Sequence, residues 1–172
     1  MRFPEPAADT SDPALLSARY LDFYRGTVLE KLAALNDEDL RTSRLPSGWT
    51  PIELLGHLAH MEQRWFVWGF LGEEVVAPWG DRAGDGGSPD GRWHVPEDVE
   101  VEALARMLHE VGGRTTDILR GTPLDTVGAT GGRFEEDPPT LAWICFHVLQ
   151  EYARHAGHLD VAVELAGGPT GE

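Results

Sequence analysis

The chain has 172 residues, of which 41% are hydrophobic, enough for a sizeable globular core, and 14 Lys+Arg stand against 29 Asp+Glu for a formal net charge of −15. An acidic surface repels phosphate backbones and anionic lipid, no basic run offsets it, and no stretch approaches the ~20 apolar residues of a membrane span, so neither nucleic acid nor membrane is an expected partner. The single cysteine, Cys145, excludes an intramolecular disulfide framework, and the opening MRFPEPAADTSDP lacks the apolar centre of a signal peptide, which makes the expected location cytoplasmic.

Residues 1–12 are rich in Pro, Ala and Asp and are expected to be loosely ordered. Leu21, Tyr24, Val28, Leu32 and Leu35 then recur at steps of three and four, one apolar helical stripe, with Asp12 placed to cap it and Pro13 at its first position. The connection that follows has room for a helical turn near 37–40. A second helix opens at Thr50-Pro51, where Glu53 completes a capping box. Its faces carry Leu54, Leu58, Met61, Trp65 and Trp68 on one side and Ile52, Leu55, Ala59, Phe66 and Phe70 on another, so it reads as a central helix running to about 71–72.

Residues 73–96, with GDRAGDGGSPDGRW at their heart, read as a long loop that Trp79 and Trp93 pin in place. A third helix starts near 99–101 with Leu104, Leu108, Val111, Thr115 and Ile118 as its stripe. Gly112-Gly113 in its middle cost roughly 1 kcal/mol each relative to Ala, and close packing or a kink would account for them. A second long connection covers 121–139, and either loop has room for short extended pairing. The fourth helix runs from Pro139 or Thr140 to Ala166, stopped by Gly167-Gly168-Pro169. The expectation is an all-α four-helix bundle, a single domain over 1–172, in which the long connections do not force an up-down-up-down order.

The histidines break the pattern. On a wheel of ~100° per residue with His147 at zero, Glu151 falls near 40° and His155 near 80°, among Ile144, Ala162, Val148, Leu141 and Leu159. A carboxylate on a buried stripe costs several kcal/mol unless it is paired or ligates a metal. Spaced four apart, Glu151 and His155 can converge on one ion. On the second helix His57 borders the apolar face, while His60 points outward among Glu53, Gln63 and Arg64. His57, Glu151 and His155 together suit Zn(II), Ni(II) or Fe(II), and three protein ligands leave a position open, as catalytic sites do.

Plainer readings stand beside this one. Glu151–His155 could be a structural ion pair and His57 a satisfied core histidine. His147 could replace Glu151 as a ligand, and His158 sits at the rim of the stripe. His60, His94 and His109 read as surface or loop residues, and Cys145, Trp65, Trp68 and Trp143 as core packing.

WTPIELLGHLAHMEQRW (49–65) resembles the second-helix motif of the DinB-like superfamily of metal-binding four-helix bundles, and HVLQEYARHAGHLDVAVEL (147–165) resembles its fourth-helix motif. The RHAGHLD form resembles the actinobacterial branch, which is similar to the N-terminal, metal-binding domain of mycothiol-dependent maleylpyruvate isomerase. The resemblance places the metal on His57, Glu151 and His155. It implies an enzyme of the S-transferase or isomerase type, in which the ion (zinc first, nickel or iron as alternatives) activates mycothiol or another low-molecular-weight thiol toward a small electrophile held under the 73–96 loop. The competing expectations are a metal-dependent hydrolase, a non-catalytic metal-binding stress protein that dimerises through exposed aromatic surface, and a bare structural bundle.

Overall fold

The computed structural model describes residues 5–75 and 93–169. The expected loop heart at 80–93 therefore lies outside the described residues except for Trp93, as do Trp79 and residues 1–4 of the N-terminal segment. Among the described residues every regular element is helical: α1 (Pro13–Ala33), α2 (Asp37–Arg41), α3 (Pro51–Glu62), a π-helical extension of α3 (Gln63–Phe70), α4 (Val101–Gly121) and α5 (Leu141–Leu165). This is the all-α bundle expected from the periodicity, and none of its helices is long and apolar enough to cross a membrane.

The helix starts follow from local chemistry. The Asp12 carboxylate accepts from the amides of Ala14 and Leu15, with Pro13 where a missing N–H costs nothing. Asn36 caps the short α2, whose Leu40 is buried, and Thr140 caps α5. Lys31 near the end of α1 pairs with Asp160 on α5.

α1 packs against α5 and α4, and α3 packs against α4 and α5, while α1 and α3 meet only slightly. The two long helices that come first in the chain are thus diagonal across the bundle. Leu21, Leu54, Leu58, Leu108, Ile144, Val148 and Leu159, all fully buried, fill the centre. Gly112 packs closely, as expected: a Cβ there would stand 2.7 Å from Arg25 Nε, whereas one on Gly113 would meet nothing within 4 Å.

The second helix differs from expectation in form. Its last eight residues wind as a π-helix, which advances less per residue than an α-helix and leaves carbonyls out of the regular ladder. The 122–140 connection satisfies them. Ala129 N–H donates to the Phe70 carbonyl at 2.8 Å and Arg133 N–H to the Trp68 carbonyl at 3.2 Å. Gly132 permits this approach, because a Cβ there would run into the Trp68 carbonyl. The short extended pairing is an antiparallel bridge between Val127 and Thr140 in this same connection.

Three assignments are overturned. Arg64, grouped with the outward residues, is buried at 4% exposure; on the wheel it stands only about 20° from His57, which is buried too. His60, expected at the surface, is half-buried. Trp143, expected in the core, is half exposed.

Candidate metal centre

Two caps set the rods that carry the site. The Thr50 side chain accepts from Glu53 N–H and the Glu53 carboxylate accepts from Thr50 N–H at 2.8 Å, a reciprocal capping box two turns before His57. On α5, Thr140 accepts from Trp143 N–H. Because α3 and α5 are neighbours in the bundle, His57 faces Glu151 and His155.

The three side chains each offer one ligand atom, and these atoms lie within 4.8 Å of one another. His155 Nε2 stands 3.3 Å and His57 Nε2 3.9 Å from Glu151 Oε2. Two ligands held about 2.1 Å from a shared ion stand at most about 4.2 Å apart, so both spacings fit. His57 and His155 are buried, and the Glu151 side chain keeps 17% of its exposure.

Neither ring nitrogen of His57, nor Nδ1 of His155, has a hydrogen-bond partner among the described residues, though all three atoms are buried. Such an atom costs about 1–3 kcal/mol. A cation taking the Nε2 lone pair of His57 removes that cost for this one atom, so the donor set fits a divalent ion.

Electrostatics prepare the same set. Burial pushes the imidazolium form of His57 down against the pull of Glu151, and it pushes His155 down to about 4 with help from His57. His57 beside it does most to hold the Glu151 carboxyl at about 2, with His155 and His147 adding to the lowering against partial burial. At 3.9 Å the His57 contact is charge proximity rather than a hydrogen bond. His155 and Glu151 thus stand in their ligating forms at neutral pH without having to lose a proton first.

The other histidines fall outside the cluster. His147 is half-buried against Trp65, ring centroids 4.2 Å apart, and lies parallel to Trp143 at 5.2 Å. His158 is exposed, its ring 5.4 Å from that of His155. His94 and His109 are exposed as expected. His60 is held down to about 4 by burial first, then by Arg64 and His57. Cys145 is buried, and burial pushes its thiol up to about 12.

Two features of this region carried no signal in the motifs. One is Trp93, whose indole lies on the His57 ring at 3.9 Å. The other is a buried polar cluster in which Arg25 and Tyr152 both hold Glu62. The wheel could have exposed the second: with Leu21 at zero, Arg25 falls at about 40°, between Leu32 and Ala18.

The fold and the cluster together define the class: an all-helical bundle with a His–Glu–His cluster that could hold a metal ion between two adjacent helices. The chain matches the mycothiol-S-transferase family model over residues 16–168 and belongs to that family. The match agrees with the DinB-like resemblance of its two helix motifs. A search among curated proteins finds no match.

Proposed function

We propose that this chain is a divalent-metal-dependent S-transferase that joins mycothiol, or a closely related low-molecular-weight thiol, to a small electrophile, with the metal held by His57, Glu151 and His155. The observation that carries the reading is the convergence of those three donors between α3 and α5. The family supports the thiol and the type of transfer.

A divalent ion held there supplies a Lewis acid that favours the thiolate form of a thiol placed in its open position. The protein's own residues prepare the place. His57 and His155 present unprotonated nitrogens, and Glu151 brings one negative charge, so a dication keeps net positive charge to attract a thiolate. The low exposure of both rings limits water on that side. The protein's one thiol cannot serve as the nucleophile, since Cys145 is buried and strongly disfavoured as thiolate. The attacking sulfur must therefore come from a second molecule, as an S-transferase requires. Zinc is the first choice among metals because it takes a His₂-carboxylate set with an open site.

The test is thiol conjugation of monobromobimane by protein loaded with Zn(II), Ni(II) or Fe(II), using mycothiol, bacillithiol and glutathione in parallel. Conjugation above the metal-only background, with mycothiol favoured and the product released, is the expected result. Tight metal binding without conjugation by any of the thiols would overturn the transferase reading in favour of a non-catalytic metal protein or a hydrolase.

A further inference from the structure

Metal-ligating histidines are ordinarily aimed by a hydrogen bond from the second ring nitrogen to a carboxylate, a carbonyl or water, which fixes both tautomer and ring plane. Among the described residues neither ring has such a partner: Nδ1 of His57 and Nδ1 of His155 are buried without a hydrogen bond there. Both rings have a different kind of contact.

Packing holds them. The Trp93 indole lies on the His57 imidazole with ring centroids 3.9 Å apart and planes 17° from parallel. The same indole meets His155 edge-on at 5.6 Å and 60°. The two imidazoles meet each other at 4.7 Å and 64°. The three rings thus form a closed set of stacked and edge contacts. The contact with His57 is closer than the ~4.5–7 Å usual for aromatic pairs. Trp93 itself is anchored, since it is half-buried and packs against the main core. It belongs neither to α3 nor to α5, so it fixes the two histidines from a third part of the chain.

We propose that Trp93 is the positioning residue of this centre: its indole takes over the orienting role that a hydrogen-bonding partner plays elsewhere, fixing the ring planes of His57 and His155 so that both Nε2 atoms face Glu151. The proposal rests on the metal-centre reading above. Trp93 is not a ligand and carries no proton in the chemistry. It sets how well the donor set is formed before any ion arrives.

The test uses Co(II) as the probe, because its visible absorption reports ligand geometry, with two variants of the full chain. Trp93→Leu keeps apolar bulk and removes the flat ring; Trp93→Phe keeps a flat ring. Wild type is expected to take up Co(II) with a defined visible band. W93L is expected to bind about tenfold or more weakly, the lower end for loss of an orienting partner, and with an altered band. W93F is expected to recover most of the affinity and the wild-type band. A W93L protein equal to wild type in affinity and band overturns the positioning role while leaving the metal centre standing. Equal weakening in W93L and W93F overturns it too, since mere filling of space then explains the residue. Wild-type protein that takes up no Co(II) removes the centre, and the proposal falls with it. A check that needs no variant is the proton spectrum of the metal-free wild type. The indole face must shift the His57 ring protons upfield, and unshifted protons overturn the stack whether or not W93L folds.

Discussion

Arg25 grips Glu62 through two parallel hydrogen bonds inside the bundle, Nε to Oε2 at 2.9 Å and Nη2 to Oε1 at 2.5 Å, with Glu62 wholly buried and Arg25 nearly so. Tyr152 O–H donates to the same carboxylate at 2.6 Å, and Asp22 takes the remaining side of the guanidinium. The pair therefore ties α1, α3 and α5 together just where α3 changes to π-helix. A buried ion pair need not stabilise more than an apolar replacement, but breaking one half leaves an uncompensated charge. Glu62→Ala is expected to lower stability by about 3–5 kcal/mol, read by urea unfolding. The double change Arg25→Met with Glu62→Leu is expected to recover much of that loss. A Glu62→Ala protein within about 1 kcal/mol of wild type would show that Arg25 finds another partner on relaxation.

The glycines of α4 make opposite predictions one residue apart. A Cβ on Gly112 would stand 2.7 Å from Arg25 Nε and 2.8 Å from Cζ, atoms already fixed by Glu62, so they cannot simply swing away. Gly112→Ala is expected to cost about 1–3 kcal/mol, as overpacking does. Gly113 is exposed and faces open space, so Gly113→Ala is expected to gain up to about 1 kcal/mol from helix propensity alone. Thermal unfolding of the two variants, measured side by side, should move in opposite directions. Movement in the same direction contradicts the packing described.

Those contrasts show what a sequence can reveal and where it stops. Thr50 with Glu53, Asp12 with Pro13 and the stop after Leu165 are local signals, and local chemistry decided them. The convergence of His57, Glu151 and His155 was legible for a related reason: helical spacing sets which residues share a face, and both faces turned toward the core. Arg64 was misplaced because its charge was read ahead of its angle: the wheel sets it about 20° from His57, and both are buried. Trp93 over His57 was out of reach because it depends on how a long irregular segment returns to the bundle, which no periodicity encodes. The Arg25–Glu62 pair lies between these cases. Each residue sits inside an apolar arc of its own helix, but only the packing of α1 with its neighbours reveals that they answer each other.

The assignment of the metal donors makes a graded prediction. His57→Ala, Glu151→Ala and His155→Ala each remove one of the three donors that converge among the described residues. Each is expected to abolish retention of a divalent ion through desalting, read by elemental analysis of protein purified without a histidine tag. His147→Ala and His158→Ala are expected to keep it, because His147 is engaged with Trp65 and Trp143 and His158 is exposed outside the cluster. Loss of metal in the His147 variant with retention in the Glu151 variant would exchange the two residues in the donor set.

Acid should act on the metal-free protein through the same side chains. The His155 imidazole is held down to about 4, below its ordinary 6.5, chiefly by burial and then by His57. Between those two values the unfolded chain binds a proton that the folded protein excludes. Stability therefore rises with pH across this window, is fully present above 6.5, and is lost as pH falls toward 4. The shift corresponds to at most about 3 kcal/mol, reduced by whatever water reaches the ring. His60, held down to about 4 in the same way, should act in the same sense. Urea unfolding of metal-free wild type at pH 7 and pH 4.5 should show the decline. His155→Ala should show a shallower slope over that interval, whatever its absolute stability. A slope identical to wild type would mean that His155 ionises freely in the folded state, and that its ring is wetter than its burial indicates.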